Sequence, residues 1–182
     1  SRLRMGDGRY VRFWAIADIE GGAARSVVLM SASDPKRTQE MGPRDFRPEA
    51  FFLGSSRDDV IEHLLSFENV DVVLFRLTGR THISAKQLGL AFSHEVDGRI
   101  NTAFLFADGV QGASECVLEL PLGMQFGMGR DEVRAAVGVP VASASDGAGQ
   151  AMGWDAYLVD GVRIHFEFSQ GGGIELVTLQ YG

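Results

Sequence analysis

Apolar positions along this 182-residue chain follow two periods, and they alternate in blocks. Val60, Ile61, Leu64 and Leu65 recur at helical spacing and predict one buried helix face. Ser55 or Ser56 stands ready to cap that helix, with Asp58 and Asp59 in its first turn, where carboxylates suit the positive helix end. A second helix is predicted over 130–137, stopped by Gly138 with Pro140 just beyond. Runs of strand length and composition cover 70–77, 88–92, 100–106, 154–159, 162–168 and 174–181. In 162–168 the alternation is clean: Val162, Ile164, Phe166 and Phe168 on one face, Arg163, His165 and Glu167 on the other. Residues 10–17 and 26–30 read as a hairpin about Gly21-Gly22. Pro35, Pro43 and Pro48 mark 33–49 as linker, and the Ser/Ala/Gly-rich stretch 141–153 reads as a loop.

These blocks repeat. Phe52-Leu53-Gly54-Ser55-Ser56-Arg57-Asp58-Asp59-Val60 matches Phe126-Gly127-Met128-Gly129-Arg130-Asp131-Glu132-Val133, which aligns Arg57 with Arg130. The later turns align Gly98 with Gly172, a spacing only one position longer. Two kinds of anchor at nearly one spacing predict a duplicated unit of helix start followed by β-hairpin. The N-terminal hairpin is a looser third echo, with Gly22 preceding Gly98 at almost the same spacing. The expected fold is therefore α+β: a tandem repeat of a helix packed on antiparallel sheet, with an extra N-terminal β-hairpin. Residues 1–49 form that hairpin and linker, 50–116 the first repeat and 117–182 the second, the copies packed as one body.

Composition narrows the function classes. A net charge of −7, without a cluster of Lys and Arg, argues against nucleic-acid binding and suits a basic partner. No run approaches the length of a membrane span. Cys116 is the only cysteine, so the fold relies on no internal disulfide. With no apolar core behind the charged N-terminal residues, the expected location is cytoplasmic.

Candidate chemistry is thin. His63, His82, His94 and His165 form no pair at metal-ligand spacing. His165, Glu167 and Asp155 are the one set that could hold a metal or do acid–base work, but an exposed sheet face explains them more simply. Asp58, Asp59, Asp131 and Glu132 sit in helix first turns, where capping accounts for them. The glycines of 123–129 lack the lysine and hydroxyl that close a phosphate cradle. No catalytic residue, metal or cofactor is assigned. The positions of interest are outward aromatics and charges suited to a protein partner: Asp155 and Tyr157 beside Arg163, His165 and Glu167, with Tyr181 at the chain's end and Trp154 turned toward the core.

The segment from Leu120-Pro121-Leu122-Gly123-Met124 through Val133, then Val137-Gly138-Val139-Pro140, Trp154-Asp155 and 162–168, resembles the module of the β-lactamase-inhibitor-protein-like fold, which small outer-membrane assembly lipoproteins share. The likeness covers 117–182 well and 50–108 more loosely. It implies a protein-binding module with an open concave sheet and no catalysis, of the kind also found in proteins that resemble bacterial toxin immunity proteins. The chain lacks the lipoproteins' N-terminal cysteine and the secreted inhibitor's disulfide pair. An immunity protein is the leading expectation, with an envelope-assembly scaffold or a small-ligand protein binding between two sheets as alternatives.

Overall fold

The computed structural model describes residues 2–4, 10–12, 46–77, 80–94, 97–145 and 153–181. Near the N-terminus β1 (Arg2–Arg4) pairs antiparallel with β2 (Tyr10–Arg12). The expected hairpin about Gly21-Gly22 and most of the 33–49 linker lie outside the described residues. A short 3-10 turn, Pro48–Phe51, leads to helix α1 (Arg57–Leu65), capped by the Ser56 hydroxyl accepting from Asp59 N. Strands β3 (Val73–Leu77), β4 (Arg80–Ala85), β5 (Leu90–His94) and β6 (Ile100–Phe106) follow. Helix α2 (Arg130–Val137) then precedes β7 (Ala142–Ser145), β8 (Gly153–Val159), β9 (Val162–Phe168) and β10 (Ile174–Tyr181). The eight strands β3–β10 form one antiparallel sheet, ordered β3-β4-β5-β6-β10-β9-β8-β7. The α+β, antiparallel expectation holds.

Each half has four strands rather than three. The 81–86 stretch reads as polar punctuation in sequence, yet 80–85 form β4 with Ile83 and Ala85 buried on its inner side. Strand β7 falls inside the expected 141–153 loop. Its Ala and Ser side chains give no apolar alternation, and backbone pairing with β8 makes it a strand.

The pairing has an internal two-fold pattern. Phe104 of β6 lies opposite Thr178 of β10, its own counterpart in the second half. Phe92 opposes Ala103 and Leu90 opposes Leu105; at the same spacing, Phe166 opposes Val177 and Ile164 opposes Leu179. Each helix start is tied alike: Gly54 N donates to Ile100 O, and Gly127 N donates to Ile174 O. Isolated bridges Ser56–Arg99 and Gly129–Gly173 complete the match.

Cross-strand pairing gives the sheet two unlike faces. On the inner face Ile83, Leu90, Phe92, Ala103, Leu105, Ile164, Phe166, Val177 and Leu179 join Val60, Ile61, Leu64 and Val133 of the helices in one core that spans both halves. A smaller cluster of Phe106, Ala113 and Leu176 sits where the 107–116 loop folds over one end of the second face. That loop also fixes a glycine: at Gly89 (φ +64) a Cβ would run into the backbone of Ser114 and Cys116. Gly98 has a similar backbone (φ +74) with open space around it. Gly98→Ala should cost about 1 kcal/mol from the left-handed conformation alone. Gly89→Ala should cost roughly 1–3 kcal/mol more through the collision, read as the difference between the two variants in urea unfolding.

Candidate functional site

The sheet places the candidate residues on opposite faces. Strands β8 and β9 are joined by Asp160-Gly161, both at positive φ (50° and 79°), a two-residue turn of the primed type. It sets Val159 opposite Val162, so Tyr157 opposes Ile164 and Asp155 opposes Phe166. Asp155 and Tyr157 therefore share the helix-covered face with β9's apolar residues, and both are buried (0% and 4% exposed). Arg163, His165 and Glu167 take the second face. The expectation that Asp155 and Tyr157 join them is corrected, as is Trp154's assignment to the core: Trp154 lies opposite Glu167, half-buried, its ring centroid 4.8 Å from His165. Tyr181 stands at the far end of β10, opposite Val162 on the helix side and beside Gly54, away from the rest.

What buries Asp155 is α2. Arg130 donates to Asp155 Oδ1 from Nη2 (2.6 Å) and Nε (3.0 Å), and Arg134 donates from Nε to Oδ2 (2.7 Å) and from Nη2 to Oδ1 (2.9 Å). Arg130 Nη2 also donates to the backbone oxygens of Ala144 and Trp154, tying β7 and β8 to the helix. Burial alone would raise the Asp155 pKa, but the hydrogen bonds from Arg134 and Arg130, with their charges, hold it below the usual carboxylate range. Burial and the Asp155 charge push Tyr157 upward, and its hydroxyl has no hydrogen-bond partner among the described residues.

The first half solves the same problem without charge. Aligning Arg57 with Arg130 sets Val60, Ile61 and Leu64 against Val133, Arg134 and Val137, so Ile61 takes the place of Arg134. Opposite Phe92, the counterpart of Phe166, stands Ile83 where the second half has Asp155. Sequence reading missed Arg130 and Arg134. Their i, i+4 spacing on the stripe with Val133 and Val137 is the signal that could have marked them as inward-facing.

On the second face, His165 Nδ1 lies 3.5 Å from Glu167 Oε1, Arg163 opposes the exposed Leu158 (60%), and Gln180 and Thr178 of β10 flank them. In the first half the same face carries Phe75 stacked on His82, centroids 4.9 Å apart and planes within 9°. Burial, Arg80 and His94 lower the His82 pKa, which favours the neutral ring. Ser93, directly across from His82, is buried with no hydrogen-bond partner for its hydroxyl among the described residues. His165, Glu167 and Asp155 cannot converge on one ligand, since the sheet separates them. Among the described residues no three His, Cys, Asp or Glu side chains are placed to hold a metal ion. Cys116 is buried, and desolvation raises its thiol to about 11.

No protein-family model matches the chain, and no curated protein does. Two solved structures are similar. An extracellular protein containing a SCP domain from Bacillus anthracis str. Ames matches at TM-score 0.52 and 10% identity, over 82% of this chain and 50% of that one. This chain thus spans about half the length of that relative, and the likeness shows a shared fold alone. A DUF4309 family protein (YjgB) from Bacillus subtilis subsp. subtilis str. 168 matches at TM-score 0.36 and 16% identity, over 64% of this chain and 67% of that one. Neither is described as an inhibitor or an immunity protein.

Asp155→Ala leaves Arg130 and Arg134 against a buried void and should cost about 3–5 kcal/mol. Asp155→Ile with Arg134→Ile, which copies the first half, should be milder than Asp155→Ile alone in denaturant unfolding. Because the folded-state pKa of Asp155 is depressed, its contribution is full above the unfolded value of about 3.9 and fades as pH falls through the lower folded value. The wild type should therefore lose more stability than Asp155→Asn on acidification below about pH 4. The Cys116 thiol should resist a disulfide-exchange reagent at pH 8 and react fully once urea unfolds the chain.

Proposed function

We propose that this chain is a non-catalytic protein-binding module, built from a duplicated helix-and-sheet unit, that receives a protein partner on the second face of its sheet. The carrying observation is the partly exposed set on β8 and β9: Trp154 against His165, Arg163 beside Leu158, and Glu167. Aromatic and arginine side chains on one rigid surface are the composition of binding hot spots. Neither helix lies on this face, because the buried residues of both join the inner core. The matched turns, bridges and strand registers of the two halves support the duplication. A charge of −7 favours a basic partner, and a toxin neutralised by occlusion is the first candidate.

The lone buried Cys116 supports a cytoplasmic setting, as nothing in the fold draws on disulfides. An envelope-assembly scaffold is the second reading, and the fold shared with an extracellular protein favours it. A small-ligand protein, binding between two sheets, is the reading with less support, since strands β3–β10 form one sheet. No helix among the described residues is long and apolar enough to cross a membrane.

Replacing Leu158 with a photo-crosslinking residue should capture one discrete protein from a native-host extract, while the same residue at Glu62 on α1 should not. Trp154→Ala and Arg163→Glu should each reduce capture at least about tenfold. Equal labelling at both positions, or none at Leu158, would overturn the assignment. Substrate turnover lost with His165→Ala or Glu167→Gln would replace it with a catalytic one.

A further inference from the structure

We propose that the outer edge of β3 pairs with the same edge of a second copy of this chain, antiparallel about a two-fold axis at Phe75. Strand β3 ends the eight-stranded sheet, and no strand among the described residues pairs with its outer edge. It reads Val73-Leu74-Phe75-Arg76-Leu77, without proline or lysine, and its one charge, Arg76, lies on the helix side and is exposed. Phe75 and Leu77 are exposed (36% and 46%) although both are large and apolar.

The opposite edge is poorer. Strand β7 offers only Ala and Ser, follows Pro140, and its Ala144 carbonyl is held by Arg130. Burying β7 against another strand would remove little apolar surface from water.

Continuity of the two faces fixes the register. A residue of the second face must meet a second-face residue of the other copy, so the axis passes through a residue and not between two. With the axis at Phe75, the second-face pairs are Phe75 with Phe75 and Val73 with Leu77, all apolar. On the helix side Leu74 meets Arg76, and no like charges stand opposite. With the axis at Leu74, Asp71 would meet Leu77 on the second face, and with the axis at Arg76 the two arginines would meet; Arg76 faces an apolar side chain in the Leu74 and Phe75 registers alike, so the second face decides between those two. The edge is therefore self-complementary in one register, and the assembly closes as a symmetric dimer.

Light scattering and sedimentation from micromolar to millimolar concentration test this. The wild type should shift from monomer to dimer, and Phe75→Lys and, independently, Leu77→Lys should raise the dissociation constant at least about tenfold. Both variants should keep the wild-type circular dichroism spectrum, since the two side chains are already exposed. Phe75→Cys should yield a disulfide-linked dimer under mild oxidation, because directly opposite residues lie within disulfide reach. A wild type that stays monomeric throughout, or a dimer that survives both lysine variants, would overturn the proposal.

Discussion

Everything else in this sheet hangs on the pairing of β6 with β10. Each half ends in a strand whose far edge would otherwise face solvent, and each half alone holds too few residues to bury a sizeable core. Setting Phe104 opposite Thr178 joins the two terminal strands antiparallel, removes two edges at once and makes one core continuous from Ile83 to Ile164. The liability is displaced outward: the remaining edges, β3 and β7, become the ends of a wider sheet. The two ends are finished differently, one with apolar side chains and one with Ala, Ser and a preceding proline.

The halves also differ in how their helices dock. In the first half Ile61 and Ile83 meet the core as hydrocarbon; in the second Arg134 and Asp155 occupy the matching positions, with Arg130 completing the cluster. A buried carboxylate between two guanidinium groups contributes little net stability over the apolar pair, because desolvation offsets most of the attraction. It does something hydrocarbon cannot. Arg130 reaches past Asp155 to the backbone of Ala144 and Trp154, so the cluster fixes where β7 lies, a strand whose own side chains have almost nothing to bury. The charge supplies position where the sequence of β7 supplies no packing.

Much of the fold was legible in the sequence because its signals are local. Helix α2 appears with the predicted bounds, since Gly138 and Pro140 stop it, and the two helix starts at Gly54 and Gly127 are recognisable by eye. Strands β4 and β7 were not, one because polar residues interrupt it and the other because its pairing is purely backbone. The candidate site was half legible. Charge suggested that Asp155 points outward, whereas side-chain direction in a hairpin is set by parity across the turn. Asp160-Gly161 is a two-residue loop, and counting back from Val159 and Val162 puts 155 and 157 with 164 and 166. Residue type misled where loop length would have decided.

That parity also decides which side chains the second face offers to the proposed partner. Once Asp155 and Tyr157 are withdrawn to the helix side, the second face of β8 and β9 keeps Trp154, Leu158, Arg163, His165 and Glu167, all on strands and none on a loop. Their backbone is already held by ladder pairing, so binding the proposed partner would order side chains but no loop. The same face in the first half is chemically different, with Phe75 stacked on His82 and a small, buried Ser93 beside them. One backbone pattern, used twice, thus presents two unlike surfaces. A partner of the kind proposed, selecting between them, would read side chains rather than shape.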